Sequence, residues 1–133
     1  RIGYGVAQPD LLGRLMKYSF AGLNKNTLSI EAAIAALQDH DHVRHSVEMV
    51  RSGRAYLYTE LEALGHEPVR SETNFFPVKV DASVDWLMTQ LAMCHVRITR
   101  AAGMAGHIRI SVGQPHENEA LIAAMKAAAG SLI

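Results

Sequence analysis

Arg109 stands in a strand-like alternation in which Ile108, Ile110 and Val112 take one side and Arg109 and Ser111 the other. That is the period-two signature of a sheet whose faces meet different surroundings. A planar guanidinium on a rigid strand can form two parallel hydrogen bonds to a carboxylate, which lysine cannot match. The competing role for such a residue is a salt bridge to a nearby Asp or Glu. Arg100 closes the run from Val96, ahead of the small-residue segment Ala101 to Gly106. Arg97, in the same run, competes with it for any second anionic group. Arg1 opens the chain before Ile2-Gly3-Tyr4-Gly5-Val6-Ala7. His40, His42 and His45 have a spacing from which imidazoles can converge on zinc. Asp39, Asp41, Arg44 and Glu48 surround them, however, which reads as a solvated surface turn rather than a metal site. The single cysteine, Cys94, excludes an internal disulfide framework and reads as a small buried hydrophobe.

The elements that must position these side chains follow from periodicity. Residues 1–7 read as a strand, and Pro9 suits the first turn of a helix whose apolar face is Leu11, Leu12, Leu15 and Met16. A loop with turn chemistry spans Tyr18 to Asn26, and Thr27 or Ser29 is the expected cap of an alanine-rich helix through Leu37. Asp39-His40-Asp41 breaks that helix. From His42 to Leu64 the positions Val43, Val47, Val50, Arg54, Leu57, Leu61 and Leu64 recur in steps of four and three. They predict an amphipathic helix on the order of 33 Å long, enough to bridge two domains, with Gly65 at its C-terminal end. Beyond it, strands over 74–80, 96–100 and 108–112 alternate with helices over 84–93 and 117–132, an α+β pattern. Pro77 argues for an edge strand or a bulge because it cannot donate a ladder hydrogen bond. Phe75, Phe76 and Trp86 are expected to fill the core between sheet and helices.

A chain of 133 residues with 49% hydrophobic residues can bury a single core. Thirteen basic residues balance thirteen acidic ones, so no electrostatic footprint for nucleic acid or an anionic membrane is visible. The apolar runs fall short of the roughly 20 residues needed to span a bilayer, and a cytoplasmic location is the default.

The strand Arg109-Ile110-Ser111-Val112-Gly113, the opening Arg1-Ile2-Gly3-Tyr4-Gly5 and the central Thr73-Asn74-Phe75 together resemble the C-terminal part of class I and II pyridoxal-phosphate aminotransferases, nearest to histidinol-phosphate aminotransferases. The resemblance runs across essentially the whole chain. It implies the end of a large cofactor-binding domain over residues 1–40, a linking helix over 41–65 and a C-terminal small α+β domain over 66–133, a short sheet covered by helices. By the same resemblance Arg1 would bind the phosphate of pyridoxal 5′-phosphate, Arg109 the carboxylate of glutamate or 2-oxoglutarate, and Arg100 the far end of an amino donor such as histidinol phosphate. The Schiff-base lysine would lie upstream, because Lys17, Lys25, Lys79 and Lys126 stand outside its motif. This polypeptide alone is therefore expected not to catalyse, and the intact enzyme is expected to be a homodimer. Asn24 and Asn26 correspond to a segment near the dimer interface in the resembling enzymes. Cys94-His95-Val96 departs from the family pattern, which leaves the amino donor open. The alternative is a non-catalytic α+β module acting in binding or dimerisation.

Overall fold

The computed structural model describes residues 2–18 and 26–130. The chain divides into two units, Arg1–Arg44 and His45–Ile133. In the first, helix α1 (Pro9–Met16) opens on Pro9, with Asp10 in its first turn and Arg14 in its last. Both charges complement the helix dipole. The strand expected over 1–7 is absent from the described residues 2–7. A strand exists only through a ladder partner, and residues 2–7 have none among the described residues. Helix α2 (Thr27–Gln38) is capped by neither Thr27 nor Ser29 but by Asn26, whose side chain accepts from the Ser29 N–H at 3.1 Å. The break is confined to Asp39, whose φ of −88° and ψ of 72° leave the helical region. Its Oδ1 accepts from the His42 N–H at 3.0 Å, which starts helix α3 (His40–Ala63) two residues before the apolar periodicity does. His40, His42 and His45 all stand exposed on its first turns.

Helix α3 ends as Gly65 predicts. Gly65 adopts φ +82°, its N–H donates to the Glu62 carbonyl, and the His66 N–H reaches back to Leu61, both at 3.0 Å. This pairing satisfies carbonyls that a helix end would otherwise leave without partners. The rest of the second unit is a four-stranded antiparallel sheet with β1 (Glu67–Pro68), β2 (Phe75–Lys79), β3 (Thr99–Arg100) and β4 (His107–Ser111) in the order β1-β2-β4-β3. Helices α4 (Val84–Met93) and α5 (Pro115–Gly130) complete it. This is an α+β architecture.

Alternation sorts the sheet residues cleanly. Phe76, Val78, Ile108 and Ile110 are at most 1% exposed and pack with Leu57 and Leu61 of α3, Leu87 and Leu91 of α4, and Ile122 and Met125 of α5. The helices thus cover one face of the sheet. Phe75, Pro77, Arg109 and Ser111 lie on the other, so Phe76 enters the core while Phe75 does not. Trp86 packs partly buried against the core from α4.

Pro77 is not at an edge: β2 is a central strand, paired with β1 on one side and β4 on the other. The Val69 N–H donates to the Pro77 carbonyl at 2.8 Å, so the backbone polar groups of Pro77 are directed toward β1. No bond to β4 is lost, and the missing donor falls where β1 has already ended.

Helix α3 approaches the turn after β4 closely at Gly53. A Cβ there would meet Asn118 Nδ2 and Val112 Cγ1, each at 2.8 Å. Gly53→Ala is expected to destabilise the fold by about 1–3 kcal/mol through overpacking, read as a lower urea midpoint at unchanged m-value.

Candidate functional site

Strand β3 is shorter than the run 96–100 suggests because the exit from α4 consumes its beginning. The Val96 N–H returns to Leu91 at 2.9 Å and the His95 N–H to Ala92 at 3.0 Å, with His95 at φ +61° where a glycine would be usual. Cys94 lies in this exit and is exposed rather than buried. The ladder therefore starts at Thr99, opposite Arg109, followed by Arg100 opposite Ile108. Extending that register would bring Arg97 opposite Ser111, but the chain diverges there and a cleft of about 540 Å³ opens. Arg97 and Ser111 line it, together with Arg109, Gly113, Glu117 and Asn118. Since the His107 carbonyl accepts from the Ala101 N–H on the β3 side, alternation turns the backbone N–H and carbonyl of Ser111 to that side too.

The far wall is firmly built. Asn118, 3% exposed, accepts from the Gly113 N–H at 2.9 Å and donates to the Gly113 carbonyl at 3.0 Å. Glu117 accepts from the Gln114 N–H at 2.7 Å, the return half of a capping box at the start of α5. Its carboxylate is thus engaged by the helix end.

The two arginines of the cleft are disposed differently from Arg54, Arg70 and Arg100. Arg54 pairs with Glu72, Arg70 with Glu62 and Arg100 with Asp85. Among the described residues neither Arg97 nor Arg109 has an acidic partner or a side-chain hydrogen bond. The guanidinium of Arg109 instead lies over the ring of Phe75, 3.9 Å from its centroid, leaving its N–H groups available. Two such cations, beside the outward-turned backbone groups of Ser111, can receive anionic oxygen atoms. Arg100 sits apart from them. It is one residue out of phase with Thr99, so it falls on the helix side of the sheet, where Asp85 of α4 meets it.

The remaining candidates are elsewhere. Arg1 and Asn24 lie outside the described residues, as does Lys25. Lys79 binds Glu67 at 3.2 Å and Lys126 binds Glu60 at 2.8 Å. The hydrogen bond that Lys126 donates to the Glu60 carboxylate raises the Lys126 pKa. Lys17 follows α1. None of the described lysines lines the cleft. Asn118 and the support from Phe75 escape sequence reasoning, because no spacing of residue types marks either. Only the β2–β4 register, which sets Phe75 opposite Ser111 and Pro77 opposite Arg109, puts the phenyl ring diagonally beside the guanidinium.

Comparison with known proteins shows the family. The family model for aminotransferase class I and II matches residues 1–125. The chain belongs to that family. It is 40% identical over 125 residues to histidinol-phosphate aminotransferase 1 of Nitrosococcus oceani, covering 92% of this chain and 33% of that protein. It is 36% identical over 136 residues to the histidinol-phosphate aminotransferase of Symbiobacterium thermophilum, covering 98% and 36%. The fold matches the histidinol-phosphate aminotransferase of Sinorhizobium meliloti, solved with pyridoxal 5′-phosphate, with a TM-score of 0.77 at 24% identity over 90% of this chain and 34% of that one. The chain thus spans about a third of the length of the curated relatives it matches. No helix among the described residues is long and apolar enough to cross a membrane.

Proposed function

We propose that this chain is the C-terminal portion of a pyridoxal-phosphate-dependent aminotransferase that exchanges an amino group between histidinol phosphate, or a similar donor, and 2-oxoglutarate or glutamate. In this reading residues 1–40 end the large domain, α3 is the linking helix, residues 66–133 are the small domain, and the intact enzyme is a cytoplasmic homodimer. The observation that carries it is the pair of guanidinium groups in one cleft, Arg97 and Arg109, which have no acidic partner among the described residues. A 2-oxo acid with two carboxylates, or an amino donor bearing phosphate, calls for that arrangement.

Arg109 is the carboxylate fork. Arg97 takes the second anionic group in preference to Arg100, since Asp85 already neutralises Arg100 on the helix side. The described residues do not by themselves fit the aldehyde cofactor. Holding it as an imine needs a free amine, and the lysines of this unit are ion-paired away from the cleft. The cofactor's phosphate is assigned to Arg1, and its lysine to sequence preceding the chain. In isolation the 133 residues are expected to be inactive.

Steady-state kinetics of the intact protein test the reading. It is expected to transaminate histidinol phosphate with 2-oxoglutarate. Arg97→Ala should raise the KM for the phosphate-bearing donor by roughly ten- to a hundredfold, the worth of a charge-assisted pair, and Arg100→Ala should change it less than about threefold. The reverse ranking would return the second subsite to Arg100. Absence of any transaminase activity would favour a binding module.

A further inference from the structure

Arg109 is held from beneath, and the hold is itself anchored. Phe75 is half-buried on the open face of β2 and supports the guanidinium of Arg109 with its ring. The ring is fixed by its backbone: Thr73 Oγ1 donates to the Phe75 carbonyl at 2.8 Å and accepts from the Phe75 N–H at 3.3 Å. Thr73 is fixed in turn by Arg54, which is 9% exposed and donates from Nη1 to the Thr73 carbonyl at 2.8 Å. Glu72 binds the other guanidinium nitrogen of Arg54 at 3.1 Å. A continuous line of contacts therefore leads from α3 through the loop before β2 to the underside of Arg109.

We infer that Phe75 is a positioning residue for Arg109, an aromatic platform that holds the guanidinium so that its N–H groups meet a carboxylate in the cleft. The inference rests on the reading of Arg109 as the carboxylate fork. Arginine loses several rotatable bonds when it binds, and that ordering subtracts from affinity. A ring in stacking contact restricts those rotations before the ligand arrives, through attraction between the cation and the negative face of the π system. The side of the guanidinium away from Phe75 is left for the ligand. An aliphatic residue at position 75 would keep a hydrophobic contact but would not orient the plane in this way.

The experiment uses the intact protein that carries this chain. Glutarate, a dicarboxylate with no amino or oxo group to react, serves as the probe and is read as a competitive inhibition constant. Phe75→Leu is expected to weaken glutarate by roughly three- to tenfold and to raise the KM for 2-oxoglutarate similarly, with kcat changed less than about twofold. Phe75→Tyr restores the ring and should return both constants to within about twofold of the parent. If the leucine variant does not fold, Phe75→Met supplies the aliphatic comparison. Arg109→Lys separates the two levels of the argument. If it leaves glutarate binding unchanged, the reading of Arg109 fails and this inference with it. If Arg109→Lys weakens glutarate while leucine or methionine at position 75 matches tyrosine, the platform alone is overturned.

Discussion

Arg109→Leu is expected to lower kcat/KM of the intact protein for glutamate by roughly two to three orders of magnitude, because the proposed charge-assisted bidentate contact would be removed and a carboxylate left facing a hydrocarbon. Arg109→Lys should fall between, near one order, since the charge survives but the planar fork does not. The loss should be smaller with histidinol phosphate. That donor carries a CH2–O–phosphate ester where glutamate has its α-carboxylate, and in the proposed reading its anionic phosphate is taken by Arg97, so less of its binding depends on the carboxylate fork. Comparing the two substrates in single-turnover reactions checks the point. Equal losses would mean that Arg109 does not distinguish the carboxylate, and that its effect comes through the strand rather than the ligand.

The second large effect is on stability. Phe76→Ala is expected to cost about 3–5 kcal/mol, a large share of the stability that a domain of this size holds. Phe76 is fully buried in the central strand β2. Its ring meets Tyr58 of α3 edge to face, with centroids 4.8 Å apart and planes at 68°. Its removal therefore opens a cavity between sheet and helix and also deletes an aromatic pair. The neighbouring Phe75→Ala should cost less than about 1.5 kcal/mol, because that ring is on the uncovered face. Urea unfolding of both variants measures the contrast directly. Near-equal losses would mean that the two faces of β2 are not as unequal as the packing indicates.

This inequality explains how much could be read from residue order alone. Features governed by local periodicity were legible: the stripe along α3 from Val50 to Leu64, though not its exposed beginning at Val43 and Val47, its termination at Gly65, the α+β succession, and the opposition of Arg109 to Ile108 and Ile110. Features governed by pairing were not. Strand order is set by contacts between segments far apart in sequence, so Pro77 suggested an edge although β2 is flanked on both sides. Its missing donor falls opposite Val69, just past the end of the two-residue strand β1, which only the register reveals. Arg97 and Arg100 are three apart, so in any extended run they must take opposite faces. Which one shares the face of Arg109 depends on where the ladder begins, and that is decided by the left-handed turn at His95. The same turn draws Cys94 out of the core. Choosing Asn26 over Thr27 or Ser29 as a cap moves a boundary by only a residue or two, a distance over which several good capping side chains compete.

Pro68 gives the outer strand a further property. Because Val69 is hydrogen-bonded to Pro77, alternation directs the backbone of Pro68 away from the sheet, on the side where another strand could add. Proline has no N–H to offer there. An edge of this kind is a poor template for a strand from another molecule, and the opposite edge strand, β3, is just as short. A sheet whose uncovered face carries Phe75, Arg109 and Ser111 is in this way shielded from growth at its margins, a hazard that exposed edge strands otherwise present in a crowded solution.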